Sequence, residues 1–378
     1  MSAPAFHRTA THYRPTLTLE GRSYTDSAVL AEEQERIFGT LWNCVGHRSR
    51  LPGPGSFLTV TVAGESLLVV RDRDDSIRAF YNVCRHRGTR LCEGEGRLAG
   101  SIQCPYHAWT YAPDGRLIGA PHMQDVPGFA KRDYPLRQAA LAEWEGFLFV
   151  SLADRPVPFA DAWAPMRGRL SRFNLSGLTG FHRVRYDVAA NWKLVFENYS
   201  ECLHCPMIHP ELSTVLPYQS GANDLIEGPF LGGYMEIVPP NRSATLSGGP
   251  AGRPVSPGLP EADRRRAFYY SLAPNLLLSI HPDYVNYYLV TPVSPGRTIV
   301  ESEWLFHPEN AGDPEFRPED AIGFWDVTNR QDWAIVERSQ LGIGSRAYRP
   351  GPYSARESIP AAWDREYLRL MALGTVER

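Results

Sequence analysis

The sequence predicts an α+β protein of two domains, the first all-β and the second a mixture of helices and strands. Three observations carry this expectation. A chain of 378 residues has room for two cores, since domains commonly run to roughly 100–200 residues. Between Trp42 and Leu152 the apolar residues come in short runs, such as Phe57 to Val62 and Ser66 to Val70, punctuated by Gly, Pro and Asp. After a break at Asp154-Arg155-Pro156-Val157-Pro158, helical segments alternate with strand-like runs such as Tyr284 to Val290.

Ahead of the β region, the spacing predicts a first helix over 28–38, with Asp26 or Ser27 as its cap and Gly39 near its end. Within the second domain, residues 239–260 are rich in Pro, Gly and Ser and lack periodicity, so a long irregular excursion is expected there, either a lid or a disordered segment. No unit recurs at a fixed period, and Gly94-x-Gly96-x-x-x-Gly100 has the wrong spacing and setting for a dinucleotide loop. Asn174, Asn198 and Asn241 head N-x-S sequons, but the start at Met1 to Arg8 has no apolar core that would mark a secretory signal.

Composition narrows the function classes. Apolar residues at 43% with charged residues at 21% describe an ordinary globular chain, and no run of about 18 residues is apolar enough to span a bilayer. A cytoplasmic protein without membrane contact is expected. A net charge of -3 and the lack of a long Lys/Arg run offer no field for nucleic acid, so the expected ligand is a small molecule. The six cysteines are Cys44, Cys84, Cys92, Cys104, Cys202 and Cys205, and in a chain of this kind metal binding is a better use for some of them than disulfides.

Cys84-Arg85-His86 and Cys104-Pro105-Tyr106-His107 form two short pairs separated by residues 87–103. A cluster with Cys on one iron and His on the other carries less negative charge than an all-Cys cluster. Its potential is therefore higher, roughly -150 to +300 mV against about -400 mV for plant-type ferredoxins, and it can accept electrons from one. A structural zinc site is the bland alternative, but C-x-H followed by C-x-x-H departs from ordinary zinc spacings. Cys92 lies between the loops and is read as a packed thiol.

A second constellation follows at Asn191 to Pro210. With Pro206 and Pro210 making its end irregular, His204 is expected to close a helix and His209 to sit on the next turn, both rings facing one ion. Two histidines and one carboxylate on one face of ferrous iron leave positions open for O2 and room for substrate. The carboxylate candidates are Asp320, Asp326, Asp332 and Glu337 on an expected final helix. Cys202 and Cys205 flank His204; soft thiolates there would favour zinc or iron–sulfur chemistry, and both are read as packing residues.

The segments Asn82 to Gly88 and Cys104 to Tyr111 resemble the two cluster loops of Rieske oxygenases, and the likeness extends from near Tyr24 to Pro350. On this resemblance the chain is identified as an α subunit of the Rieske non-haem iron oxygenases. The family implies an all-β Rieske [2Fe-2S] domain at 40–153 and a catalytic domain of antiparallel sheet with helices (helix-grip, START-like) at 154–378, with 1–39 packing on the latter. It implies a [2Fe-2S] cluster on Cys84, His86, Cys104 and His107, and a mononuclear Fe(II) on His204, His209 and Asp332, the last within Thr328-Asn329-Arg330-Gln331-Asp332-Trp333. It also implies catalytic roles for Glu201 and Asn198, Glu201 bridging His204 to His107 of the next copy in a homotrimer. No flavin, pyridine-nucleotide or plant-type cluster motif occurs, so a separate NAD(P)H-dependent flavin/iron–sulfur reductase is implied.

Within that family, Glu197 to Cys205, Pro274 to Val285 and Val300 to Phe306 look like members acting on quaternary ammonium compounds, including glycine betaine and stachydrine demethylases. Tyr199, Tyr234, Tyr284, Tyr287, Tyr288 and Phe324 are candidates for holding such a cation. Hydroxylation of an aromatic or other small hydrophobic acid is the second reading. A Rieske electron carrier with a non-catalytic ligand-binding domain is a third.

Overall fold

The computed structural model describes residues 16–224 and 228–373; the expectations for the chain start therefore lie outside the described residues. The chain divides into two compact units, Phe38–Phe159 and the remainder on either side of it.

The Phe38–Phe159 unit is built on a seven-stranded antiparallel sheet in the order Asn43–His47, Phe147–Ser151, Gln138–Trp144, Ile77–Tyr81, Glu65–Arg71, Ser56–Val62 and Glu95–Arg97. Alternation explains two separate cores. Along Glu65–Arg71, Leu67 and Val69 join Val45, Leu58, Ala79, Leu148 and Val150 in one cluster, while Leu68 and Val70 join Phe80 and Trp109 in another. The second cluster includes Cys84 and Cys104, so the loops that carry them rest on a packed floor.

The other unit carries a seven-stranded antiparallel sheet, ordered Thr179–Val188, Arg297–Phe306, Val285–Ser294, Leu276–Ile280, Arg266–Leu272, Phe230–Glu236 and Ala222–Asp224. Helix α1 (Ser27–Glu33) starts as the sequence predicts, with Asp26 accepting from Ala28 N at 2.8 Å, but its last turn widens into a π-helix at Gln34–Phe38. The other principal helices are α2 (Trp192–Tyr199), α3 (Cys205–Ile208), α4 (Pro210–Val215), α5 (Pro318–Ile343) and α6 (Ser358–Leu373). In α5, the buried residues Ala321, Phe324, Trp325, Thr328, Asn329, Trp333 and Val336 recur every three or four positions and face the sheet. Hydrogen bonds from Tyr186 to Asp326 and from Tyr288 to Asn329 fix that face in register with the strands.

Helices α1, α2 and α6 meet around buried charge. Glu33 accepts from Lys193 at 2.5 Å, Trp192 at 2.7 Å and Tyr367 at 2.6 Å, satisfying a carboxylate that burial would otherwise penalise. Beside it, Glu197 accepts from Tyr24 at 2.8 Å and Asp364 from Tyr353 at 2.9 Å. Burial raises both carboxyls, Asp364 to about 7. The folded state thus holds protons that the unfolded chain releases near its ordinary carboxylate range, so stability is lost as pH rises from about 4 through about 7. Asp364→Asn removes the Asp364 share of that dependence and leaves that of Glu197. The variant's stability relative to the parent is expected to be greater at pH 8 than at pH 5 by on the order of 1–4 kcal/mol, read as a correspondingly higher melting temperature. A pH-independent difference between the two proteins would show that Asp364 does not carry it.

The 239–260 segment is irregular, as its composition predicts, but it is neither loose nor a free lid. Fully buried Arg253 pairs with Asp283 at 3.1 Å, Ser243 donates to the same carboxylate at 2.8 Å, and Ser247 N donates to Asp320 at 2.9 Å. Burial pushes the Asp283 carboxyl up to about 6, with Arg253 and Ser243 pulling it back.

Candidate active site

The two pairs of the β unit sit on matched turns. Gly88 N donates to Cys84 O at 3.0 Å and Ala108 N to Cys104 O at 3.1 Å, while Cys84 N and Cys104 N donate to Thr89 O and Trp109 O, both at 2.8 Å. Both turns pass through left-handed backbone, at Gly88 (φ 75°) and Ala108 (φ 55°). Cys84 and Cys104 are buried, whereas His86 is exposed, its ring stacked on Trp109 and 4.8 Å from that of His107. Nδ1 of His107 is buried without a hydrogen-bond partner, as expected of an atom reserved for a metal. Thiols inside and imidazoles outside fit an asymmetric cluster with its histidine iron toward the surface. Tyr111, to which the sequence reading gave no role, reaches Cys84 Sγ at 3.4 Å and accepts from Arg85 N at 3.0 Å. A hydrogen bond to a ligand sulfur raises the cluster's potential.

The second constellation converges as well. Asp332 Oδ1 lies 2.8 Å from His209 Nε2 and 3.3 Å from His204 Nε2. Ligand bonds of roughly 2.1 Å place neighbouring donors about 3 Å apart, so the carboxylate oxygen sits at ligand spacing from each imidazole, as a divalent ion shared by the three residues requires. The remaining nitrogens are held from behind: His204 Nδ1 by Glu201 Oε1 at 2.6 Å, and His209 Nδ1 by Gln331 Oε1 at 2.7 Å. Each contact fixes a ring and leaves Nε2 free for a metal. Asn198 Nδ2 donates to Asp332 Oδ1 at 2.7 Å, so it orients the carboxylate.

The other acids considered for the third ligand are engaged elsewhere. Asp320 accepts from Ser247, Asp326 from Tyr186 and Arg330, and Glu337 from Ala189 N. Without metal, burial would lower the His204 imidazole, but Asp332 and Glu201 outweigh it and lift it to about 10. Burial would likewise raise Asp332, and the two imidazoles hold it below the ordinary carboxylate range. An entering cation takes the place of that proton.

Two local expectations need correction. His204 does not close a helix. Helix α2 ends at Tyr199, and His204 instead opens α3. The cause is Glu201, whose Oε2 accepts from the backbone N–H groups of Leu203 and His204 and so competes with helical bonding. Its two oxygens thus shape the turn and aim the imidazole. Cys202 and Cys205 do pack against the core, as read from the sequence, but they are joined in a disulfide, with Cα atoms 5.0 Å apart across that same turn. A disulfide sulfur is no thiolate donor, so Cys205 Sγ, 3.9 Å from His204 Nε2, leaves the ligand set as two nitrogens and one oxygen.

A cavity of 660 Å³ opens onto the three ligand residues and is also lined by Tyr199, Tyr234, Tyr269 and Trp325. Gly233, also in the lining, permits the close approach of the paired strand there, since a Cβ would lie 2.4 Å from Ala222 O. Of the six aromatics considered from sequence, Tyr199 and Tyr234 line the cavity. Tyr284, Tyr287 and Tyr288 spend their hydroxyls on Ala244 O, Glu303 and Asn329, and Phe324 packs in the core. Tyr269 and Trp325 were not singled out; both lie on a buried periodicity shared with ordinary core residues.

A Rieske-type pair of loops and a two-histidine, one-carboxylate site on an antiparallel sheet define an iron-dependent oxygenase component. Residues 175–373 match the family described as ring hydroxylating alpha subunit (catalytic domain), and residues 41–130 the Rieske [2Fe-2S] domain. The chain belongs to this Rieske oxygenase family and uses a [2Fe-2S] cluster and a mononuclear non-haem iron. It is 35% identical to the glycine betaine monooxygenase oxygenase subunit of Chromohalobacter salexigens, over 88% of this chain and 80% of that one. It is 38% identical to the carnitine monooxygenase oxygenase subunit of Acinetobacter baumannii, over 50% of this chain and 51% of that one. A crystal structure of the quaternary ammonium Rieske monooxygenase CntA superposes with a TM-score of 0.80 at 26% identity, covering 94% of this chain and 96% of that one. Among the described residues no helix is long and apolar enough to cross a membrane.

Proposed function

We propose that this oxygenase component hydroxylates an N-methyl carbon of a small quaternary ammonium compound, releasing formaldehyde and the demethylated amine. The observation that carries it is the shared cavity: the rings of Tyr199, Tyr234, Tyr269 and Trp325 line the same space as the iron-ligand atoms. A quaternary ammonium cannot donate a hydrogen bond and is held instead by aromatic faces, each worth roughly 0.5–2 kcal/mol depending on desolvation. The relatives named for glycine betaine and carnitine support the same substrate class.

Cys84, His86, Cys104 and His107 would hold the cluster, and His204, His209 and Asp332 the iron; together these groups supply electron storage and O2 activation. The protein's own part is positional. Glu201 and Gln331 fix the imidazoles, Asn198 turns the Asp332 carboxylate, and the aromatic lining sets an N-methyl group against the site. Inserting one oxygen atom into the C–H bond consumes O2, two electrons and two protons and yields water and a hydroxymethyl ammonium. That product loses formaldehyde and a proton to leave the tertiary amine.

The electrons come from a separate reductase, which we infer to be an NAD(P)H-dependent flavin/iron–sulfur protein. We infer further that the chain works as a homotrimer in the cytoplasm, with His107 of one copy beside Glu201 of the next. The structure report of the related quaternary ammonium monooxygenase, 25% identical with a TM-score of 0.77 over 96% of this chain and 97% of that one, describes inter-subunit electron transfer there. The test is a reconstituted assay scoring O2 uptake and formaldehyde release with betaines against hydroxylated products with aromatic acids. Formaldehyde in step with O2 uptake is expected. Hydroxylated aromatic acid without formaldehyde would assign the other substrate class, and a cluster that is reduced with no substrate-dependent O2 uptake and neither product would leave only an electron carrier.

A further inference from the structure

Resting on the quaternary ammonium reading, we propose that Arg356 is the carboxylate anchor of this site, so that the substrate is a zwitterionic trimethylammonium acid rather than a simple ammonium. The cavity lining contains a single lysine or arginine among the described residues, and it is Arg356. The same lining contains the carboxylates Glu201 and Asp332, and neither is available to Arg356. Glu201 is occupied with His204 and the turn, and Asp332 with His209, His204 and Asn198. No carboxylate or carbonyl in the described structure pairs with the Arg356 guanidinium. It lies over the Tyr218 ring, with Cζ 5.6 Å from the centroid.

Several other arginines of the same unit are taken up by acids. Arg169 is tied to Asp224, Arg172 to Asp263, Arg253 to Asp283 and Arg297 to Asp187. Arg356 instead lies at Ala355–Glu357, just ahead of α6, within a capping box in which Ser354 and Glu357 bond each other's backbone. The cap fixes the backbone and takes up the neighbouring Glu357 side chain with Ser354 N at 2.8 Å, so that acid does not neutralise the arginine. Tyr218 supports the guanidinium from one face, and its own hydroxyl accepts from Gln219 at 2.9 Å. The planar fork is left with donors for one incoming carboxylate.

One lining thus offers a partner to each half of a zwitterion. An N-methyl group must reach His204, His209 and Asp332 for oxidation, and the carboxylate of the same molecule is left to the Arg356 guanidinium, which lines the same cavity. A ligand with no carboxylate leaves Arg356 unpaired and gains nothing from it.

The test compares dissociation constants of the iron-loaded, cluster-bearing protein, measured anaerobically by calorimetry, for glycine betaine, tetramethylammonium and benzoate. Arg356→Gln is expected to weaken glycine betaine relative to tetramethylammonium by roughly tenfold, the loss of one charge-assisted contact in a partly open site, and Arg356→Lys to recover part of that. Equal losses for the two ammonium ligands, or none, overturn the anchor. Arg356-dependent binding of benzoate with neither ammonium bound keeps the anchor and overturns the quaternary ammonium reading. Wild-type binding of both ammonium ligands at equal affinity overturns the anchor alone.

Discussion

Asp332→Ala is expected to empty the mononuclear site and abolish turnover while the iron–sulfur cluster's visible absorption stays as in the parent. The expectation follows from how much converges on one oxygen: Asp332 Oδ1 meets both imidazole Nε2 atoms and the Asn198 amide. Truncation removes the one anionic ligand of the set and leaves two neutral imidazoles around a divalent ion. Partners that merely orient ligands typically cost roughly 10–100-fold in metal affinity or activity, so losing the ligand itself should exceed about a hundredfold. Asn198→Ala, which removes only an orienting contact, should fall inside that smaller range. Metal analysis separates the outcomes: the cluster's pair of irons remains and the third iron is lost. An Asp332→Ala protein that retains its third iron and its turnover would place the carboxylate ligand elsewhere on α5. The other candidates on that helix, Asp320, Asp326 and Glu337, already have partners.

The cluster loops and the iron site differ in how much of them the sequence discloses. Each half of the first site is local, Cys84 with His86 and Cys104 with His107, and short spacing in sequence means closeness in space. Only the pairing of the halves depends on the fold. Asp332 is different, because more than a hundred positions separate it from His209 and nothing in local periodicity distinguishes it from Asp326 or Glu337. What selects it is the α5 stripe through Thr328, Asn329 and Trp333, which turns position 332 toward the sheet, together with the register set by Tyr186 and Tyr288. Gln331 was not picked out for the same reason: a glutamine beside a helical aspartate reads as surface until His209 arrives over it. The turn at 200–204 misled because helical spacing places Glu201 and His204 on one face. They do meet, but through a carboxylate that breaks the helix rather than one that decorates it. Arg356 carries no sequence signal at all, since its meaning lies in which acids fail to reach it.

Glu201→Gln is expected to keep both metal centres and lose most of the turnover. The glutamine side chain keeps one of the two acceptor oxygens: with it on His204 Nδ1–H the ring stays aimed and iron still loads, at a roughly 10–100-fold loss in affinity, while the amide NH2 replaces the oxygen that the turn N–H groups used. What it removes is the negative charge that holds a proton on His204 Nδ1 and that would face the surface imidazoles of a neighbouring copy. His86 is exposed, and His107 keeps its buried Nδ1 without a partner, which leaves Nε2 as the atom able to meet a carboxylate from outside. On the trimer reading, the amide weakens that contact at the one point where the two centres approach. Turnover at saturating iron should therefore fall by more than about a hundredfold, with the cluster still reduced by its electron donor and remaining reduced under O2. Glu201→Ala goes further by removing the acceptor for His204 Nδ1–H as well as that of the turn amides, so it adds a loosened imidazole to loss of the link. The charge-conserving Glu201→Asp separates shape from charge, since it keeps the anion but falls short by a methylene. A Glu201→Gln protein turning over at the parent's rate, with its cluster reoxidised as fast, would refute the bridge and leave Glu201 only as the residue that shapes the turn.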